Sequence, residues 1–407
     1  MSITTSNNKY DVYIILIILS TIYGRWGFLH PTTFLGLYFL PQLLEILSSS
    51  NIMSKIRPFW SFFMFWLVYA LVSFAWTPRM SDGIRDFVLL FIHFLLFIEI
   101  LVFSTKANNP IQSIVNGWAF AFLCTAVIAM GEIVFGQHLS SARIESDAFV
   151  ESRGDTYATV TFYNPNTYCY FMSLSFPFIL YYFSQSKSWA NIGIILLAIF
   201  IMTRNSSRGG LITLLLMSSV YMFYKMKSGS VRKKVFIIIL VSLLLLLVIA
   251  FGAILFSTAF NRIGSAGLLN SNARILLIIW SWDLFVDSYG FGQGVGSMLY
   301  ELEHIPSNFT ELYCAHNMIM EILLEYGLVI ALVVIYFLWR LYKNAKKITE
   351  INMKSVLMGA VISFPFYSII NSENLRPHFI WVFFATIYVL SLAKLKKEDN
   401  DESLICN

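Results

Sequence analysis

A short polar run at residues 203–210 separates two long apolar stretches and carries the residue types that bind phosphate. It contains Arg208, with Ser207 directly before it and Gly209 directly after it. The following helix is predicted to begin at about Gly209, so Arg208 stands at a helix N-terminus that Ser206 or Ser207 can cap. Exposed backbone amides and the helix dipole favour an anion there, and glycine lets a phosphate approach the backbone closely. The plainer alternative is an arginine whose head group reaches the membrane–water interface.

A second cation, Arg274, lies near the start of a helix predicted at 271–287, with Ser271 or Asn272 as its N-cap. The body of this helix is apolar and contains Trp280 and Trp282, followed by Asp283 and Asp287. Because the segment is short and carries two carboxylates, we predict an interfacial helix rather than a membrane span. Arg274 then repeats the pairing of a cation with a helix start, although anchoring to anionic lipid head groups explains it equally well.

His316 is the candidate general base. It opens a predicted apolar helix, and a helix N-terminus disfavours imidazolium, which keeps His316 neutral near pH 7 and able to accept a proton. Asn317, Glu321 and Glu325 follow at four-residue spacing on one stripe of that helix. Carboxylates at membrane depth are expected to face the bundle interior. A structural polar seam, with a histidine satisfied by its neighbours, is the alternative interpretation.

A fourth polar helix start occurs at residues 163–166. Pro165 is predicted near the first helical position, where its missing N–H costs nothing. Asn164 and Asn166 flank it and are candidate supporting residues. Four helix starts with polar groups on one face of a membrane would offer many hydrogen-bond donors to a pyrophosphate.

The composition requires membrane helices to position these motifs. Of 407 residues, 57% are hydrophobic and 13% are charged, and the mean hydropathy is +0.70. The net charge of +5 is explained by basic loops beside membrane helices, so it does not indicate nucleic acid. A span needs about 20 apolar residues. Twelve candidates are predicted, at about 11–28, 31–48, 58–77, 83–104, 111–136, 164–183, 189–204, 209–226, 235–257, 316–341, 355–372 and 377–394.

Alternating these spans places every Lys in one set of loops and most Arg in the other. The positive-inside rule then makes the Lys side cytoplasmic, with both termini there. We therefore predict an all-α polytopic membrane protein that forms one integral membrane domain over residues 1–407. Its longest outward connection, 258–315, is partly helical and lies between spans nine and ten, and residues 398–407 form a disordered cytoplasmic tail.

Other classes of site find less support. The four cysteines show no paired spacing, which argues against zinc and against a disulfide framework. Residues 290–296 are rich in glycine, but no strand precedes them, so a tight turn is predicted rather than a phosphate loop. No Asp-rich loop lies beside Arg208 or Arg274 to hold Mg²⁺, so no metal cofactor is predicted.

The motifs, taken in order, resemble those of bacterial O-antigen ligases and the related O-antigen polymerases. The set comprises residues 162–166, the Ser-Arg-Gly core of 203–210, Arg274 ahead of Trp280, and the His316-Asn317 pair. The ligase pattern continues with nine residues and a glycine, which is Gly327 here. The resemblance covers about 160–330 by motif and the whole chain by span count.

The resemblance implies an enzyme of the bacterial inner membrane, independent of metal, with its active site facing the periplasm. The implied donor is a glycan on undecaprenyl pyrophosphate, whose diphosphate Arg208 and Arg274 would hold while His316 activates an acceptor hydroxyl. Supporting residues would be Ser207, Gly209, Asn164, Asn166, Asn317 and Glu321. The expected function is that of an O-antigen ligase, with lipid A-core as acceptor; the alternative is an O-antigen or capsular polysaccharide polymerase, with another glycan unit as acceptor. One displacement would invert the anomeric carbon.

A transporter or flippase for such a lipid is the alternative class. It would be expected to have two similar halves, with broken spans and ionisable groups near the middle of the membrane. The outward motifs cluster in the second half instead, which favours chemistry at the membrane surface. Glu45, Glu99 and Glu132 keep transport open.

Overall fold

The computed structural model describes residues 8–23, 30–49, 52–139, 157–185, 188–227, 267–305, 314–371 and 373–392, and its regular elements there are all α-helices. In chain order they are α1 (Lys9–Ser20), α2 (Pro31–Ser49), α3 (Met53–Ser73), α4 (Met80–Lys106), α5 (Pro110–Phe135), α6 (Pro165–Ser184), α7 (Ser188–Arg204), α8 (Arg208–Lys227), α9 (Gly267–Asp287), α10 (Met298–Glu303), α11 (Met318–Lys347), α12 (Ile351–Ile362), α13 (Phe364–Tyr367) and α14 (His378–Leu392).

Five of the described helices are long and apolar enough to cross a membrane: α3 over Ile56–Ser73, α4, α5, α8 over Arg208–Met226, and α11. Helices α7, α12 and α14 contain shorter apolar stretches. The predicted all-helical class is confirmed, and these helices are consistent with a polytopic membrane protein. The count of twelve spans stays a prediction. The span predicted at 235–257 and the tail at 398–407 lie outside the described residues.

Large aromatic side chains join the helices in the core. The ring of Trp66 in α3 lies 5.2 Å from Tyr326 in α11 and 5.7 Å from Trp381 in α14. Trp118 in α5 stacks on Phe178 in α6 at 5.2 Å, and its indole N–H is 3.1 Å from a hydroxyl of α14. Because lipid tails are as apolar as the side chains, such close packing and hydrogen bonding hold membrane helices together.

Contacts between loops define two ends of the bundle. At one end, the Asn8 amide donates to the carbonyl of Lys106 at 2.7 Å, and the Tyr181 hydroxyl donates to Glu350 at 3.3 Å. At the other end, Thr161 bonds the carbonyl of Ile22. Each contact joins segments that the predicted alternation of helices places on the same side. We call the end at which α4, α6, α8, α11 and α14 begin the motif end.

Helix α9 differs from its prediction. It begins at Gly267, so the predicted N-cap at Ser271 or Asn272 is wrong and Arg274 lies in the second turn rather than the first. The additional turn, Gly-Leu-Leu-Asn, contains two leucines, which favour helix. Helices α9 and α10 lie within the predicted loop 258–315, whose position relative to a membrane stays a prediction.

Candidate active site at the motif end

The segment between α13 and α14 touches the beginnings of two predicted site helices. The carbonyl of Ser368 accepts the N–H of Met318, the first residue of α11, at 3.1 Å. Ile370 lies against Gly209 in the first turn of α8, where an added Cβ would be 3.3 Å from its side chain. Because Ser368 and Ile370 are two residues apart, their Cα atoms are separated by at most about 7 Å. The starts of α8 and α11 are therefore neighbours.

The same segment also contacts the start of α6. The Thr167 hydroxyl, in the first turn of α6, donates to the Asn371 side chain at 2.9 Å. Asn164 is the N-cap of this helix, because its side chain accepts the N–H of Asn166 at 2.8 Å, and Pro165 occupies the first turn as predicted. We call residues 368–371 and 373–376 the bridging loop, since it connects three of the four predicted helix starts.

Arg208 begins α8, in agreement with the prediction from its flanking serines and glycines, and its side chain is exposed. Ser207 is buried and bonded through its backbone: its N–H donates to Met202 and its carbonyl accepts from Leu211, both at 3.0 Å. An added Cβ at Gly210 would meet the Met202 sulfur at 2.7 Å. The glycines therefore permit the close turn from α7 into α8 and leave the arginine free to face outward.

Helix α11 begins at Met318, two residues later than predicted. Asn317 is its N-cap, and the side-chain oxygen accepts the N–H groups of Ile319 at 2.9 Å and Met320 at 3.2 Å. His316 precedes this cap, is only 5% exposed and has a left-handed backbone with φ of 49°. Left-handed geometry is uncommon for a residue with a side chain, and such strain concentrates at functional sites.

Both carboxylates of the predicted stripe are buried in the bundle interior, as expected. Glu321 accepts the N–H groups of Asn374 at 2.8 Å and Leu375 at 3.2 Å, which ties α11 to the bridging loop. Glu325, one turn further, accepts the N–H of Met298 at the start of α10, at 3.3 Å. These two side chains accept backbone N–H groups, as expected if the stripe is a structural polar seam.

The structure adds Arg376 to the candidate site. The sequence around this residue gave it no role. Its side chain is 14% exposed, and its Nη2 and Nε atoms lie 2.8 and 3.2 Å from one carboxylate oxygen of Asp86. Its Nη1 atom lies 3.0 Å from Glu373. Burial opposes the charge, but Glu373 and Asp86 outweigh it and hold the pKa of Arg376 well above its usual range. The only sequence signal was a polar run between two apolar spans.

A second set of missed residues holds the chain before α6. Glu132 accepts the N–H groups of Thr159 at 2.7 Å and Val160 at 2.8 Å. The Asn205 side chain exchanges two hydrogen bonds with the backbone of Ala158, at 2.7 and 2.9 Å. Glu132, which the sequence left open as a transport residue, therefore anchors backbone at the motif end.

Helix α9, which contains Arg274, packs close to His316. The side chain of Arg274 lies outside the described residues. Leu277, one turn later in α9, is buried in one small cluster with Cys314 and Ala315, which directly precede His316. The diphosphate-binding role of Arg274 stays a prediction. Over the residues described, no group of three His, Cys, Asp or Glu side chains has a geometry that could hold a metal ion.

A protein family and a known protein are similar to this chain. The family described as O-antigen ligase matches residues 192–336, a range that contains Arg208, Arg274, His316 and Gly327. The teichuronic acid biosynthesis protein TuaE of Bacillus subtilis (strain 168) is 29% identical over an alignment of 354 residues that covers 80% of this chain and 70% of that protein. Both similarities support the O-antigen ligase-like family for this chain.

In this O-antigen ligase-like protein, the backbone geometry explains why residue 327 is a glycine. Helix α11 is broken there, with φ of 75° and ψ of −171°, and the N–H of Leu328 donates to the carbonyl of Gly290 at 2.9 Å. The glycine-rich turn of residues 290–296 lies across the break, and an added Cβ at Gly292 would be 2.7 Å from the Gly327 nitrogen. The turn is thus a packing element rather than a phosphate loop, as predicted.

The family match also shows which parts of the site lie beyond it. Range 192–336 includes α8, α9 and the first turns of α11. Asp86, Thr167 and the bridging loop all fall outside this range, yet they make the contacts that join the helix starts. The site of this O-antigen ligase-like protein is therefore assembled from the whole bundle.

Proposed function

We propose that this protein is a membrane glycosyltransferase of polysaccharide assembly that moves a glycan from a lipid-linked diphosphate to an acceptor hydroxyl. The observation that carries the proposal is the meeting of the starts of α6, α8 and α11 at the bridging loop. This arrangement brings the exposed Arg208 and the strained His316 to one end of the bundle. The similarity to the O-antigen ligase family and to the teichuronic acid biosynthesis protein supports the reaction class.

The proposed reaction is a single displacement. Arg208 and the first amides of α8 bind the donor diphosphate, with Arg274 as a second cation and with Ser207, Gly209, Asn164, Asn166, Asn317 and Glu321 in support. His316 takes the proton of the acceptor hydroxyl as its oxygen attacks the anomeric carbon. The bond from that carbon to the diphosphate oxygen breaks, the lipid diphosphate leaves, and the configuration inverts. The proton on His316 is then released to water.

We propose that the reaction needs no metal. A diphosphate is a good leaving group, and two guanidinium groups with helix-start amides can neutralise the charge that develops on it. Purified protein in a strong chelator should keep its full rate, whereas strict dependence on added Mg²⁺ would contradict this part of the scheme.

Two acceptors have support from different observations. The family description favours ligation, for which lipid A-core is the acceptor. The relative named for teichuronic acid biosynthesis matches 80% of the chain and favours assembly of the polysaccharide itself. Because that match covers 80% of the chain and the ligase description matches residues 192–336 alone, we favour a growing glycan as acceptor, as in a polymerase.

The deciding experiment uses protein reconstituted in vesicles with an undecaprenyl-diphosphate glycan and one of two acceptors. With a second lipid-linked repeat unit, the expected product is a lipid-linked glycan of two or more units. Transfer to lipid A-core instead would identify a ligase. Movement of intact donor across the bilayer with no new glycosidic bond would refute the enzyme and support a flippase.

A further inference from the structure

The bridging loop is tied to the bundle at five places, and Arg376 makes the tie to α4. The other ties run from Ser368 to α11, from Ile370 to α8, from Asn371 to α6, and from the backbone of residues 374–375 to Glu321. The Arg376 tie is ionic and joins the loop to α4, whereas the other four ties are hydrogen bonds and apolar packing.

Stability alone does not explain a largely buried arginine at this position. Removing a charge from water is costly, and apolar side chains of similar size commonly replace a buried ion pair without loss of stability. Arg376 nevertheless uses all three of its guanidinium nitrogens on Asp86 and Glu373. A planar fork with fixed donor directions sets the geometry of both carboxylates, which an apolar contact cannot do.

The charge of Arg376 also matters for an anionic substrate. Two carboxylates are in contact with this side chain: Asp86, which Arg85 also contacts at 3.1 Å, and Glu373. Unbalanced, these groups would repel a diphosphate approaching the starts of α8 and α11. A buried cation among them reduces that repulsion, and its effect is strong because the surroundings are poorly screened by water.

We propose that Arg376 is a positioning residue for the glycosyl transfer, which holds the bridging loop against the starts of α6, α8 and α11 and screens Asp86 and Glu373 from the donor. The inference rests on the proposed function. It assigns a role to a residue outside the range of the family match, through contacts with Asp86 and Glu373 rather than with the substrate.

Steady-state kinetics of three single variants, Arg376→Lys, Arg376→Gln and Asp86→Asn, and of one double variant test the proposal. Arg376→Lys keeps the charge but cannot hold both carboxylates, so kcat should fall about 10- to 100-fold while the donor KM stays within about threefold. Arg376→Gln also removes the charge, so the donor KM should rise as well. The double variant combines Arg376→Gln with Asp86→Asn. It should lose no more activity than the less active of these two single variants, because the two side chains act as one unit.

A cysteine beside the loop reports its position independently of activity. The Cys314 sulfur lies 3.9 Å from a Glu373 oxygen and is 9% exposed, and burial, with Glu373 beside it, raises the pKa of this thiol well above its usual range. In a chain whose other cysteines, Cys124, Cys169 and Cys406, are replaced by alanine, Cys314 should react slowly with iodoacetamide. Arg376→Gln should speed this reaction at least about tenfold as the loop loosens.

Arg340→Gln is the matched control, since Arg340 is exposed near the opposite end of α11 and bonds only the Tyr336 hydroxyl among the described residues. It should change neither kcat nor the alkylation of Cys314. The inference is overturned if Arg376→Lys and Arg376→Gln keep normal kcat and KM. It is equally overturned if their activity falls only in proportion to the folded fraction, with Cys314 still protected. Absence of transfer by the unaltered protein would instead overturn the proposed function.

Discussion

The exposed guanidinium of Arg208 and the left-handed backbone of His316 are the two residue-scale features on which the proposed chemistry depends. Arg208 stands at the first position of α8, where its charge adds to the partial positive charge of the helix start. His316 is fixed directly before the N-cap of α11 and is nearly fully buried. In the proposed reaction, the exposed Arg208 is suited to binding a mobile, charged ligand. The buried His316 is suited to a rigid position beside the reacting hydroxyl.

Replacing Arg208 by Lys keeps the charge and removes the planar fork. We expect kcat/KM to fall about 10- to 100-fold, which corresponds to one charge-assisted hydrogen bond of about 1.5–3 kcal/mol. The measurement is transfer from the lipid-linked donor by protein that still inserts into membranes. Arg204→Lys, four residues earlier on an equally exposed arginine, should be close to normal. Near-normal activity of Arg208→Lys would refute bidentate diphosphate binding.

Replacing His316 by Ala should lower kcat about 10²- to 10⁴-fold, the usual contribution of a general base. Donor binding, followed by equilibrium binding of the labelled lipid, should be retained because the phosphate contacts lie on α8. His304→Ala is the control, since His304 is exposed just after α10. A His316→Ala variant with full turnover would remove His316 from the base role.

At the scale of elements, the broken helix α11 and the glycine-rich turn form one interlocked unit. The N–H groups of Gln293 and Gly294 donate to the carbonyls of Leu324 and Glu325 at 2.6 and 3.1 Å, next to the break. Trp76, beyond the end of α3, donates its indole N–H to the carbonyl of Gly292 at 3.1 Å. The turn therefore supplies hydrogen-bond donors to two helix carbonyls next to the break.

Gly292→Ala should destabilise this unit by about 1–3 kcal/mol, because φ is positive and the added Cβ would meet backbone rather than a movable side chain. Thermal unfolding in detergent should show a lower midpoint temperature than the unaltered protein. Gly193→Ala in α7, where an added Cβ meets nothing within 4 Å, should be neutral or slightly stabilising. Equal midpoints for both variants would contradict the close approach of turn and helix.

At the scale of the whole molecule, the two ends of the bundle differ in their charges. Arg208, Arg274, Arg376 and the helix starts of the candidate site lie at the motif end, whereas Lys343, Lys346 and Lys347 end α11 at the other. The positive-inside rule therefore predicts that the motif end lies outside the cytoplasm. The donor would then be used after its lipid has crossed the inner membrane.

Labelling of single cysteines in intact cells tests this orientation. Tyr289→Cys, at a position 92% exposed at the motif end, should react with a membrane-impermeant maleimide. Lys343→Cys, exposed at the opposite end, should react only after the membrane is broken. Both variants belong in a chain without the native cysteines. The reverse pattern would place the site in the cytoplasm.

Local sequence determined the all-helical class and the starts of α6, α8 and α11. Capping depends on residues that are neighbours in the chain, so the polar residues around Asn164 and Asn317 located the helix starts to within about two residues. The structure assigns these two asparagines as N-caps, whereas the sequence pattern places Asn317 on the polar stripe of the helix. The start of α9 was placed too late because Ser271 and Asn272 resemble caps, while the preceding leucines continue the helix.

Only the tertiary structure decided how these starts meet. Arg376 and Asp86 are 290 positions apart along the chain, and each lies in a sequence that carries no motif. Their pairing depends on how α4 packs against α14 and on where the bridging loop crosses the bundle. Apolar helices in lipid can pack in many arrangements of similar local pattern, and the close fit of buried side chains selects one of them.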